Sequence, residues 1–262
     1  MKQIGFYGKG GIGKSTTVCN IAKALSEEYR VLVIGCDPKA DCTALLREED
    51  IKTVLEVLRE KRSVKIEDIV VEGGKNIYCV EAGGPKPGVG CAGRGVIVAI
   101  ETLKKLNVFE NLDIDIVLYD ILGDVVCGGF SLPLRFLDDV YIITSSDYMS
   151  LYAANNIAMG VKELKNKLSG VIYNVRGSYD NEEVVKEFCK RINTNYIGKI
   201  PNSPLVAKSE VLGKTVIEAF PDSDIAKIYK ELARKIYENR EKREPMPLSK
   251  RELKELALKY LK

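Results

Sequence analysis

Apolar residues recur along this chain in short, nearly continuous runs that end on glycines or carboxylates. Gln3 to Tyr7, Arg30 to Gly35, Asn76 to Glu81, Asp115 to Asp120, Asp139 to Ser145, Leu168 to Asn174 and Tyr196 to Pro201 all have this form. Runs of this kind are expected of parallel strands buried on both faces, rather than of strands with one wet side. Between them, apolar residues fall at helical spacing over Val18 to Leu25, Thr53 to Glu60, Gly95 to Leu106, Ala153 to Lys165, Glu182 to Asn193 and Asp224 to Glu238. Alternating strands and helices imply βαβ crossovers. The expected fold is α/β: a single domain with a doubly wound, mostly parallel sheet and helices on both faces. No linker rich in Pro, Gly or Ser and no internal repeat divides residues 1–240. The remainder, 241–262, reads as a charged tail, in which Ser249-Lys250-Arg251-Glu252 forms a capping box ahead of Leu253, Leu256, Ala257, Tyr260 and Leu261 on one face. An amphipathic helix docked on the body or on a partner is expected there.

Composition narrows the chemistry. The 262 residues include no histidine, which removes Ser-His-Asp and Cys-His catalysis together with His-ligated zinc and haem. Forty Lys and Arg against 37 Asp and Glu leave a formal charge of +3, too even to suggest a nucleic-acid surface. Every apolar run is broken by charge before it reaches the length of a membrane span. The chain opens on strand and glycine pattern without a secretory h-region. A cytoplasmic protein that binds neither membrane nor nucleic acid is expected. Seven cysteines with no C-x-x-C pair argue against a disulfide framework and against a thioredoxin-like site.

Gly8-Lys9-Gly10-Gly11-Ile12-Gly13-Lys14-Ser15-Thr16 matches the phosphate-loop pattern between a strand and a helix, so the single α/β domain is expected to be a P-loop NTPase domain. Backbone N–H groups there can turn toward phosphate oxygens, Lys14 can neutralise the β and γ phosphates, and Ser15 can ligate Mg²⁺. Lys9 is a second lysine in a loop whose nucleotide Lys14 already serves, and is expected to reach a nucleotide held by another subunit. Asp120, at a strand's carboxyl end, suits a water-mediated Mg²⁺ contact. Asp37 is placed to orient the attacking water, with Asp41 biasing the metal and Asp124 beside them. Cys91 and Cys127 lie in glycine-crowded segments, PGVGCAGRG and DVVCGGF, whereas Cys19, Cys36, Cys42, Cys79 and Cys189 lie in helix or strand contexts suited to packing. An iron-sulfur cluster of the [4Fe-4S] type wants four thiolates, which a two-fold homodimer supplies from two cysteines per chain.

GKGGIGKSTT, GCDPKAD, EAGGPKPGVGCAGRGV, YDILGDVVCGGF and YAANNI together resemble the nitrogenase iron protein (dinitrogenase reductase) family, over Lys2 to about Glu238. That family includes reductase components for chlorophyll precursors and for the nickel tetrapyrrole of methanogens. The resemblance implies MgATP in the phosphate loop, Lys9 acting across a homodimer, and one [4Fe-4S] cluster ligated by Cys91 and Cys127 of both chains. It implies nucleotide-sensing switches at Asp37 to Thr43 and Asp120 to Phe130, adenine contacts at Asn174 and Pro201, and docking or modification at Arg94. It further implies an upstream low-potential electron donor and a larger catalytic partner. The chain departs from the nitrogenase reductase pattern at Leu134 to Asp138, at Ser145-Ser146-Asp147-Tyr148-Met149 and at Pro201-Asn202-Ser203-Pro204. These departures tilt the expected partner toward the Ni-sirohydrochlorin a,c-diamide reductive cyclase of coenzyme F430 synthesis, with a dinitrogenase as the alternative. A partition or cell-division type ATPase switch is the alternative of another class; it needs no cysteines in those two segments.

Overall fold

The structure is a computed structural model that describes residues 1–84, 92–121, 123, 133–177 and 180–260, with only the backbone described at residues 92 and 94. Among the described residues eight strands form one sheet in the order β3-β4-β2-β5-β1-β6-β7-β8. They are β1 (Lys2–Tyr7), β2 (Val31–Gly35), β3 (Val71–Glu72), β4 (Ile77–Glu81), β5 (Ile116–Asp120), β6 (Asp139–Thr144), β7 (Gly170–Asn174) and β8 (Tyr196–Ile200). All neighbours pair in parallel except the short edge strand β3, which runs antiparallel to β4.

Alternation along each central strand feeds two apolar layers, one on each face. In β2, Leu32 and Ile34 enter the first layer while Val31 and Val33 enter the second; in β5, Val117 and Tyr119 oppose Ile116 and Leu118 in the same way. This division is why the runs read as continuously apolar in sequence. Helices α1 (Lys14–Leu25), α8 (Val216–Ala219) and α9 (Asp224–Glu238) cover one face. Helices α2 (Val54–Glu60), α3 (Ala92–Lys105), α4 (Val108–Asn111), α5 (Tyr148–Glu163) and α6 (Glu182–Arg191) cover the other. Helix α7 (Pro204–Val211) connects β8 to α8.

Several helices begin where a side chain caps them. Thr53 closes a capping box on α2, and Asp147 accepts from Ser150 N to start α5 five residues before the apolar spacing suggested. The last helix, α10 (Lys250–Lys259), carries the Ser249 and Glu252 capping box expected from sequence. It lies against α5 and α6, with Leu253 and Leu256 fully buried. The chain leading to it is stitched to the body: Leu168 and Arg243 form an antiparallel bridge, and the Asn155 amide exchanges two hydrogen bonds of 2.8 and 2.9 Å with the Leu248 backbone. Among the described residues no helix is long and apolar enough to cross a membrane.

This docking predicts different costs along α10. Leu253→Ala should cost about 2–5 kcal/mol, as expected for a buried leucine, whereas Leu258→Ala, half exposed, should stay within about 0.5 kcal/mol of wild type. Urea denaturation of the two variants checks this; equal and small effects would show that the helix does not share the core.

Candidate functional site

The carboxyl ends of β1, β2, β4 and β5 meet at the phosphate loop. In-register pairing sets Gly35 of β2 between Asp120 of β5 and Glu81 of β4, so three functional positions share one level of the sheet. The loop from Gly8 to Gly13 then turns into α1, with Gly11 and Gly13 at φ of 75° and 83°. Gly13 has no room for a side chain in any case, because the Asn174 amide occupies the space a Cβ would take.

Lys14, the first residue of α1, points down into the sheet and forms a buried ion pair with Asp120, which is fully sequestered. Burial by itself would lower the Lys14 pKa, but the Asp120 charge and hydrogen bond outweigh it and the amine is held above its ordinary value. The second carboxylate oxygen, Asp120 Oδ2, is buried and has no hydrogen-bond partner among the described residues. Above this pair, Gly8, Lys9, Gly10, Gly11, Gly13, Lys14, Ser15 and Thr16 line a cavity of about 290 Å³ together with Asp37, Asp41 and Gly123. Ile12 is buried beneath it. Gly123 lies directly against the Gly8 carbonyl and the Lys9 Cα.

These features suit a magnesium-bound nucleoside triphosphate. Glycines in left-handed conformations expose backbone N–H groups, a buried cation stands at the floor, and an unsatisfied carboxylate oxygen lies where a hydrated divalent cation would be held. Asn174 donates from its amide to the Ile12 carbonyl at 2.7 Å, tying the end of β7 to the loop. Asn174 and Pro201 come together in a pocket shared with Gly13, Thr16, Arg176 and Tyr229, beside rather than above the phosphate cavity. Lys9 is exposed at the rim, and its charge reaches Asp147. Burial opposes ionisation of Asp147, yet bonds from Ser145 and Ser150, helped by Lys9, keep its carboxyl below the ordinary carboxylate range.

Cys91, Asp124 and Cys127 lie outside the described residues, as does the side chain of Arg94. Cys19, Cys36, Cys42, Cys79 and Cys189 are all buried and free. Burial raises the pKa of each of these thiols, so they remain protonated and act as packing groups. Among the described residues no group of three or more His, Cys, Asp or Glu could hold a metal ion.

Three participants have no sequence signal of comparable strength. Arg176 and Glu210 line the nucleotide cavity, and Glu210 accepts from Thr16 Oγ1 at 2.7 Å. Glu81 is the third. Its Oε1 accepts from both the Thr43 backbone N–H at 2.8 Å and the Thr43 hydroxyl at 2.6 Å, while Oε2 is buried without a hydrogen-bond partner among the described residues. The signal that could have marked it is a carboxylate at a strand's carboxyl end, the same signal that marked Asp37 and Asp120.

The fold and cavity define a P-loop nucleoside triphosphatase. Two solved cell-division proteins have the same fold: MinD from Aquifex aeolicus, with a TM-score of 0.70 at 21% identity covering 95% of this chain and 100% of that one, and the cell division ATPase MinD from Pyrococcus furiosus, with a TM-score of 0.71 at 19% identity covering 90% and 98%. Sequence comparison goes further. Residues 2–262 match the 4Fe-4S iron sulfur cluster binding proteins of the NifH/frxC family, and the chain belongs to that family. It is 54% identical to nitrogenase iron protein 2 of Methanothermococcus thermolithotrophicus, over 99% of this chain and 96% of that protein. It is 56% identical to nitrogenase iron protein 2 of Methanothermobacter thermautotrophicus, over 99% and 98%, and 50% identical to nitrogenase iron protein 2 of Paenibacillus durus, over 98% and 91%. The chain is therefore an ATP-hydrolysing iron-sulfur electron-transfer component. It binds MgATP, shares one [4Fe-4S] cluster across a homodimer and partners with a larger catalytic component.

Burial dominates at Glu81. It raises the carboxyl pKa, the two Thr43 bonds and the Arg47 charge lower it, Asp120 raises it further, and the net result is a value pushed up to about 7. An acid whose folded pKa lies above its unfolded one contributes stability that is present below the unfolded value and is lost as pH rises through the folded one. Relative to wild type, Glu81→Gln should therefore gain roughly 2–3 kcal/mol between pH 5 and pH 8, because the amide cannot titrate. Urea midpoints for both proteins at each pH test this; a stability difference independent of pH would contradict it.

Proposed function

We propose that this chain is the reductase component that delivers single low-potential electrons to the catalytic component of Ni-sirohydrochlorin a,c-diamide reductive cyclase, in coenzyme F430 synthesis. The observation that carries this reading is where the chain departs from the nitrogenase reductase pattern. Asp147, within Ser145-Ser146-Asp147, caps α5 and feels the charge of Lys9, so this departure lies within electrostatic reach of the phosphate loop. Ser203 and Pro204, within the departure at Pro201 to Pro204, cap and begin α7, which carries the Glu210 bonded to Thr16. Both departures involve residues that reach the phosphate loop, whose own motif is intact.

On this reading Cys91 and Cys127 of both protomers hold the cluster, which supplies a one-electron store when bound. Lys14 and the loop amides bind the phosphates, Ser15 and Asp120 hold the magnesium, and Asp37 orients water, with Asp41 and Asp124 beside it. Lys9 reaches the partner's nucleotide, Asn174 and Pro201 face adenine, and Arg94 belongs to the docking surface. The segment from Asp120 to Cys127 joins the two functions: its first residue pairs with Lys14, which lines the nucleotide cavity, and Gly123 rests on the phosphate loop. A nucleotide favours one arrangement of such a segment only by contacting it differently in the two arrangements, and a terminal phosphate supplies that difference.

A second reading, electron donation to a dinitrogenase, is favoured by the names carried by the relatives. A binding switch of the cell-division type shares the fold, but the tail helix that could serve as a membrane anchor is packed on the body through Leu253 and Leu256. The deciding experiment supplies the anaerobically reduced homodimer and MgATP to two purified catalytic components. With the cyclase catalytic component, Ni-sirohydrochlorin a,c-diamide should be consumed, as read from its visible spectrum. With dinitrogenase, no acetylene should be reduced. Acetylene reduction without tetrapyrrole turnover would overturn the assignment in favour of the second reading.

A further inference from the structure

Glu81 lies at the end of β4 and is fully buried, yet no step of nucleotide binding or electron transfer uses it. Its carboxylate crosses over Gly35: a Cβ on that glycine would meet Glu81 Oε2 at 1.9 Å and Cys42 Cβ at 2.7 Å. The space above β2 is thus shared by Glu81 and the switch loop. Both of its bonds go to Thr43, the last residue of that loop. The Thr43 hydroxyl in turn accepts from Arg47 Nε at 3.1 Å, and Arg47 Nη2 donates to the Ala40 carbonyl at 3.2 Å. Ala40 holds a left-handed φ of 57°, unusual for a residue with a side chain, and the Arg47 bond secures this turn. A continuous chain of hydrogen bonds therefore runs from Glu81 through Thr43 and Arg47 to the middle of the loop that carries Asp37 and Asp41.

From this geometry we propose that Glu81 is a positioning residue, a latch that sets the loop from Asp37 to Thr43 against the phosphate cavity and so makes the site respond to the terminal phosphate. The proposal rests on the nucleotide-switch reading of that loop. Its physical basis is selectivity. The loop amides would hold the phosphates common to both nucleotides, whereas Asp37 and Asp41 form the part of the cavity wall that the latched loop supplies and would serve the terminal phosphate and its attacking water. Releasing Thr43 frees that wall and leaves the phosphate loop in place. The main chain after Glu81 adds a second connection. Ala82 N donates to Gly35 O at 2.8 Å and Leu55 N to Ala82 O at 3.3 Å, so the strand end that anchors the switch also leads into the segment containing Cys91.

Calorimetric titration of the purified homodimer with MgATP and with MgADP tests the latch. Glu81→Ala should weaken MgATP about tenfold while MgADP stays within about twofold, a selective loss of roughly 1.4 kcal/mol. Glu81→Gln keeps an oxygen that can accept both Thr43 bonds and should restore the wild-type ratio of the two affinities. Thr43→Val, which removes one of the two bonds, should shift the ratio in the same direction as Glu81→Ala, and it serves if that variant does not fold. A purely structural role would weaken both nucleotides equally, and that result, or unchanged ratios in Glu81→Ala and Thr43→Val, would overturn the latch. Failure of wild type to bind either nucleotide would instead overturn the nucleotide-switch reading on which the latch rests.

Discussion

The buried ion pair between Lys14 and Asp120 is the constraint around which the site is arranged. It joins residues 106 positions apart, one at the start of a helix and one at the end of a neighbouring strand, in a place with almost no exposure. Two charges are tolerated there only because they face each other, and removing either would leave the other buried and uncompensated at a cost of about 3–5 kcal/mol. The pair also leaves Asp120 with one oxygen unsatisfied. A site that keeps an amine charged and a carboxylate oxygen available is ready for a polyanion and its cation together. The sheet serves this end: β1 delivers the loop, β5 delivers the aspartate, and their parallel register sets both at one edge.

Two segments flank that pair, and each is held in its own way. The loop from Asp37 to Thr43 has an exposed Asp41 and is secured to the body through Glu81 and Arg47. Gly123, by contrast, touches the phosphate loop backbone directly. One flank of the cavity is thus set by hydrogen bonds that can be exchanged, and the other by close contact that transmits displacement. Coupling between a nucleotide and a distant group requires an element with two arrangements that the nucleotide contacts differently.

Much of this was legible in the sequence because it depends on local pattern. The strands were visible because burial on both faces leaves no polar alternation, and the phosphate loop because its glycines and Lys14 are contiguous. The tail helix was announced by Ser249 and Glu252. What escaped notice depends on distance in the chain. Glu81 reads like any strand-end carboxylate until Gly35 and Thr43 are seen beside it. Arg176 and Glu210 reach the cavity from elements with no motif of their own. The two-residue strand β3 has too little sequence to carry a period, and α7 and α8 are too short to show one, although Ser203-Pro204 and Thr215 mark their starts. The early start of α5 was hidden because the first turn that Asp147 caps places an exposed Met149 and a half-buried Tyr148 ahead of the first buried leucine, Leu151, and so shows no helical period.

The central claim is that nucleotide state at Lys14 and Asp120 governs the segment leading to Cys127. The most direct measurement is the rate at which a chelator removes iron from the reduced free homodimer without nucleotide, with MgADP and with MgATP. The account predicts the fastest removal with MgATP, because contacts to the terminal phosphate draw the Asp120 to Cys127 segment away from its resting position and open the protein cover. Identical rates in the three conditions would contradict it, showing that nucleotide and cluster are uncoupled in the free homodimer.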